Sequence, residues 1–101
     1  MPDMSISEIE SFIKRRKPAR IKFDPHALLR LVQRNMNEST LIEVIKKNKI
    51  VAIEKQQFPK FKVVFEANNP EDKDINIIAK RDGKNLVVIT AFPSEIVRRV
   101  K

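Results

Sequence analysis

The sequence predicts a single α+β domain in which helices pack on one face of a four- to five-stranded, largely antiparallel sheet. Three observations predict it. Apolar residues in the first half of the chain recur at helical spacing behind helix-start signals. From Lys49 onward the period changes from helical to two. Asp82-Gly83 then places the chain's only glycine in a two-residue hairpin turn. The elements read in the order α–β–α–α–β–β–β–β–α. A chain of 101 residues favours one domain over 1–101.

The first helix reads over 5–17. Ser5 is its N-cap and Glu8 stands three helical positions later, the spacing of a capping box. Ile6, Ile9, Phe12 and Ile13 form its apolar stripe. Lys14 to Lys17 are basic, which suits a helix C-terminus, and Pro18 stops the helix. Residues 19–23 make a short strand through Ile21 and Phe23. Asp24 caps the next helix and Pro25 takes its first position, where a missing N–H costs nothing. Leu28, Leu31 and Val32 are its expected inward stripe, and Asn35, which tolerates the left-handed conformation, is its end. Asn37 caps the third helix, with Leu41, Val44 and Ile45 inward and Asn48 as its C-terminal turn residue.

Residues 50–54 are a β-branched strand, and Phe61, Val63 and Phe65 alternate along the next one. Residues 75–81 and 84–92 form the hairpin around Asp82-Gly83. That turn implies a register in which Ala79 faces Leu86, Ile77 faces Val88 and Ile75 faces Thr90. Both faces of 86–92 are largely apolar, as in a central strand. Residues 94–101 read as a short terminal helix. The sheet face away from the helices carries Lys62, Lys80 and Arg81.

Composition narrows the function. With no cysteine, disulfides, thiol catalysis and Cys-ligated zinc are excluded. The N-terminal stretch is broken by Asp3, Glu8 and Glu10, unlike a signal peptide, and no apolar run approaches the roughly 18 residues of a membrane span. A cytoplasmic location and no membrane association are the expectations. One glycine, 34% charged residues and abundant Lys, Glu and Ile resemble thermophile usage. The net charge of +8 comes from 21 basic and 13 acidic residues. It favours a polyanionic partner, RNA first and DNA second, or an acidic protein; solubility is the plainer explanation of such a charge.

The chemistry-bearing residues converge on 24–34. The lone His26 stands at i, with Arg30 at i+4 and Arg34 at i+8, one helical turn above the next. One histidine and scattered acids do not supply a metal site, and no phosphate loop or nucleophile elbow occurs, so no metal and no cofactor is expected. RNA cleavage through the 2′-hydroxyl needs proton transfer and cations around phosphorus. His26 can move the proton, and Arg30 and Arg34 can clamp the phosphate. The plainer alternative is a solvated surface-helix face beside a histidine bonded only locally.

His26-Ala27-Leu28-Leu29-Arg30-Leu31-Val32-Gln33-Arg34-Asn35-Met36-Asn37 resembles the H-A-x-x-R-M-x-x-R-G-I-S signature of a small bacterial and archaeal domain family of unknown function, related in fold to the RelE/ParE-type toxins. The resemblance continues through Leu41 to Ile45. It ends in 83–93, similar to the family's closing G…L-x-V-V-T-x-Y-P strand. Asn35 stands where the family has glycine, and Phe92 where tyrosine is frequent. The resemblance implies a RelE-like core over 19–93, with 1–18 as a helical extension and 94–101 as a closing helix. It also implies kinship with metal-independent ribonucleases that acidic antitoxins neutralise. On this reading His26, Arg30 and Arg34 are catalytic, and Lys62, Lys80 and Arg81 bind nucleic acid. A non-catalytic nucleic-acid- or protein-binding module is the alternative.

Overall fold

A computed structural model describes residues 5–57, 59–67 and 73–94. Among them are three α-helices and one five-stranded, mostly antiparallel sheet. Helix α1 spans Ile6–Arg15. Its capping box is complete: Glu8 N–H donates to Ser5 Oγ at 3.1 Å, and Ser5 N–H donates to Glu8 Oε1 at 2.7 Å. That backbone bond, and then the Ser5 hydroxyl, holds the Glu8 carboxyl below its ordinary value of 4.5. A depressed carboxylate stabilises the fold above its unfolded-state value and loses that effect as pH falls through the folded one. The stability gap between the wild type and Glu8→Ala, followed by urea denaturation, should therefore hold near neutrality and narrow below pH 4.5. A gap independent of pH would remove the capping carboxylate from the account.

A 3-10 turn over Pro18–Arg20 leads into strand β1, Ile21–Phe23. Helix α2 follows over Pro25–Gln33, capped by Asp24 as expected. Asn35 takes the left-handed conformation, at φ 57°. Helix α3 spans Glu38–Lys47, where Asn37 Oδ1 accepts from Thr40 N–H at 2.8 Å. Asn48 departs from expectation. Its backbone stays extended at φ −83°, and its side chain instead donates to the Glu66 carbonyl at 2.8 Å. The α3 C-terminus is closed from elsewhere: Lys14 Nζ donates to the carbonyls of Ile45 at 3.2 Å and Asn48 at 2.6 Å. Lys46 Nζ returns the contact, donating to the carbonyls of Lys14 and Arg16. Each lysine thus satisfies carbonyls at the other helix's end, where cations are favoured. Burial, and after it the charge of Lys46, lowers the Lys14 amine from its ordinary value of 10.5.

Strands β2 (Ile50–Lys55), β3 (Lys60–Phe65), β4 (Ile75–Asp82) and β5 (Asn85–Pro93) complete the sheet in the order β1-β5-β4-β3-β2. β1 lies parallel to β5, pairing Ile21 with Leu86 and Phe23 with Val88; the other pairs are antiparallel. β5 is thus an interior strand, as its two apolar faces require. Ile9, Phe12 and Ile13 of α1, Ala27 and Leu31 of α2, and Leu41, Val44 and Ile45 of α3 join one core. The sheet contributes Phe61, Val63, Phe65, Ile77, Ala79, Leu86, Val88 and Ala91. None of the described helices is long and apolar enough to cross a membrane.

Three expectations are corrected. The inward face of α2 is Ala27 and Leu31, whereas Leu28 and Val32 point to solvent. Ala27 on α2 and Ala91 on β5 are both fully buried. Packing into the shared core thus selects the Ala27–Leu31 side of the helix. The hairpin turn is Gly83-Lys84, with Asp82 paired to Asn85. Gly83, at φ 61°, then supplies the single positive φ of a type II′ turn, and Asp82 is spared the left-handed conformation that a type I′ turn would impose on it. The register therefore moves by two residues near the turn: Arg81 faces Leu86 and Ala79 faces Val88.

Beyond Val88 the ladder slips again. Ala79 pairs with Val88 but Ile78 pairs with Thr90, so Ile89 is an extra residue, a β-bulge. Ile77 then faces Ala91 and Ile75 faces Pro93. A one-residue slip exchanges the two faces of a strand. Ala91 turns to the core, and Thr90 and Phe92 turn to the opposite face. The expected helix over 94–101 falls, beyond Ser94, outside the described residues.

Candidate functional site

The N-terminus of α2 is fixed by its own sequence. Asp24 Oδ1 accepts the His26 backbone N–H at 2.8 Å, Pro25 fills the first helical position, and Asp24 N–H donates to the Val88 carbonyl at 2.9 Å. That last bond continues the β1–β5 pairing by one residue, so α2 starts beside β5 where β1 stops. The helix then covers the stretch of β5 that carries the bulge.

The result is an open cleft of about 480 Å³ between helix and strand. Asp24, His26, Arg30 and Arg34 line it from the helix side, and Ile89, Thr90 and Phe92 from the strand side. All three residues expected from their helical spacing therefore share one cleft. They are not held alike. Arg34 is half-buried; its Nη1 donates to the Ala91 carbonyl at 3.1 Å and its guanidinium stands 6.0 Å from the Phe92 ring centroid. It is oriented before any ligand arrives. Arg30 and His26 are exposed, and neither side chain has a hydrogen-bond or ion-pair partner among the described residues.

The strand-side residues escaped the sequence reading. Strict alternation from Leu86 and Val88 would turn Thr90 and Phe92 inward, and only the Ile89 bulge turns them to the cleft. Bulges often re-aim side chains beside functional sites. No periodicity signals this one, because every residue around it is apolar or small.

Lys62 and Lys80 occupy the sheet face away from the core, as expected. Lys62, Ile78 and Thr90 form one cross-strand row, which puts Lys62 about 10 Å of backbone spacing from the cleft's strand side. Its Nζ lies 3.3 Å from Glu54. Lys80 is flanked by Lys60 and Val87. Arg81 is not on that face. It pairs with Leu86 on the core side, its guanidinium sits 4.8 Å from the Phe12 ring centroid, and its Nε donates to the Gly83 carbonyl at 3.0 Å. Arg16 lies over the same ring at 4.2 Å and donates to the Lys84 carbonyl. The two arginines fasten α1 to the hairpin turn; Arg81 ends the core face because it stands two residues beyond Ala79 on the same side of β4.

Two guanidiniums, one held and one free to move, can grip a phosphate from two directions. The imidazole of His26 is the one ring in the cleft of a chemical type that can act as a general acid or base. Asp24 already spends one oxygen on the helix cap. Among the described residues, no group of three His, Asp or Glu side chains gathers as metal ligands would.

No curated protein and no solved structure matches the chain closely enough to be named as a relative. The model of one family does match, over residues 23–93, which takes in β1's last residue, α2, the whole cleft and the hairpin but leaves α1 outside. The chain therefore belongs to the DUF4258 family, described as a domain of unknown function.

Proposed function

We propose that this protein binds RNA in the α2–β5 cleft and cleaves it without a metal, on a core of RelE-like type. The observation that carries the reading is that His26, Arg30 and Arg34 line one open cleft. The row from Thr90 to Lys62, the neighbouring Lys80 and the net charge of +8 add a path for the backbone on either side. In the reaction, neutral His26 accepts the proton of the 2′-hydroxyl, and the 2′-oxygen attacks the adjacent phosphorus. The P–O5′ bond breaks, and the departing 5′-oxygen takes a proton from water. The products are a 2′,3′-cyclic phosphate and a 5′-hydroxyl. Arg34, already oriented, and Arg30 stabilise the charge gathering on the phosphoryl oxygens. If the kinship with toxins holds, an acidic antitoxin would cover this basic side.

The test is purified protein with several RNAs in the presence of chelator. The expected outcome is cleavage to 2′,3′-cyclic ends, reduced about 10²- to 10⁴-fold in His26→Ala with binding retained. DNA, lacking the 2′-hydroxyl, should be bound and left intact. Absence of cleavage from every RNA, with His26→Ala binding unchanged, would leave a non-catalytic nucleic-acid-binding module. Absence of salt-dependent binding as well would leave a protein-binding one.

A further inference from the structure

Helix α2 has two apolar faces, and the fold uses only one. Ala27 and Leu31 enter the core. Leu28, Leu29 and Val32 remain 39%, 57% and 76% exposed, and Pro25 is exposed beside them. Pro25, Leu28, Leu29 and Val32 stand at i, i+3, i+4 and i+7, the spacing by which an amphipathic helix presents anchors to a partner. At 100° per residue these four cover one continuous arc of about 100°. The His26–Arg30–Arg34 line lies beyond Gln33 on the far side of that arc. The two features are thus separate surfaces of one helix.

We infer that this stripe docks an amphipathic, acidic helical segment of another protein. Its apolar residues would meet Leu28, Leu29 and Val32, and its carboxylates would face the basic flank. Three observations choose this occupant. The α2 sequence carries no acidic residue, its polar flank holds His26 and Arg30, and the chain's net charge is +8, so a segment of opposite sign is both steered and held. A second copy packed on the same stripe about a two-fold axis would bring the like charges of the two α2 helices together. RNA finds neither donors nor aromatic platforms among these side chains. The inference rests on the exposed stripe and not on the RNA reading, although the partner's carboxylates and RNA would meet at His26 and Arg30.

The probe is a synthetic helical peptide with leucines at i, i+3, i+4 and i+7 and glutamates flanking them. It is compared by fluorescence anisotropy with a lysine-flanked version and with a scrambled one. The glutamate peptide should bind the intact protein, and both controls should bind at least about tenfold more weakly. Leu29→Gln with Val32→Gln, two exposed positions whose replacement leaves the core intact, should weaken the glutamate peptide at least about tenfold. The same variant should change RNA affinity by no more than about twofold, since it removes no charge. Equal peptide binding by wild type and variant overturns the inference, as does failure of the glutamate peptide to bind. Sedimentation of the protein alone as a dimer that the variant converts to monomer assigns the stripe to a second copy. Loss of RNA affinity in the variant assigns it to RNA.

Discussion

Phe65→Ala should cost about 3–5 kcal/mol of folding stability, the range for truncating a large buried aromatic side chain. Phe65 is 1% exposed at the end of β3, paired with Ile50 on one side and Ile75 on the other, so the void would open where three strands meet. Its ring also receives the Lys14 ammonium at 5.6 Å, and Lys14 is the residue that closes α3. The truncation therefore loosens a helix end as well as a strand. Against a total of about 5–15 kcal/mol for a domain of ordinary stability, that is a large share. Phe92→Ala is the control. Phe92 is half-buried and faces the cleft, so its truncation leaves no sealed cavity and should cost less than about 2 kcal/mol. Urea denaturation of both variants decides; equal costs would mean that the core is not centred where the packing places it.

Arg34→Ala should weaken RNA binding more than Arg30→Ala, although each removes one charge from the same cleft. Each should lower the salt slope of single-strand binding by about 0.7. The difference lies in ordering. Arg34 is held by the Ala91 carbonyl and stands near Phe92, so it loses little side-chain freedom when phosphate binds, whereas Arg30 must be immobilised at that moment. Arg34→Lys separates charge from geometry: it should keep the salt slope but lose affinity, because an ammonium has no planar fork for carbonyl and phosphate together. Arg34→Ala should also cost about 0.5–1.5 kcal/mol of stability through the lost carbonyl contact, while Arg30→Ala, whose side chain has no partner among the described residues, should be neutral. Titrations at several salt concentrations, run beside denaturation curves, measure both. Equal affinities for the two alanine variants would show that the Ala91 contact does not prepare the site.

Local chemistry was legible from the residues alone. Ser5 with Glu8, Asp24 with Pro25, Asn35 and Asn37 each mark a boundary through a bond or a dihedral angle that involves only near neighbours, and each boundary lies where those rules put it. The i, i+4, i+8 line of His26, Arg30 and Arg34 was likewise readable, because helical spacing alone sets which side chains share a face. Arg81 belongs with Ala79 rather than with Lys80, because alternation along β4 sets its face; the choice between Asp82-Gly83 and Gly83-Lys84 shifts every pair in the hairpin by two residues and leaves the faces unchanged. Asn48 looked like a left-handed terminus, but its carbonyl is satisfied by Lys14, a residue 34 positions away.

Sequence alone, then, determined the three described α-helices, their N-caps, the alternating strands and the basic line on α2, since all of these follow from interactions within about one turn or one pleat. Tertiary structure decided the rest. The parallel pairing of β1 with β5, the burial of Ala27 and Leu31 against the sheet, and the bulge at Ile89 turn a basic helix face into a cleft floored by Thr90 and Phe92. The physical reason is packing. Which apolar side of α2 goes inward, and which residue of β5 is left over, depend on filling one shared core, and both Leu28–Val32 and Ala27–Leu31 are adequate stripes until β5 is beside them.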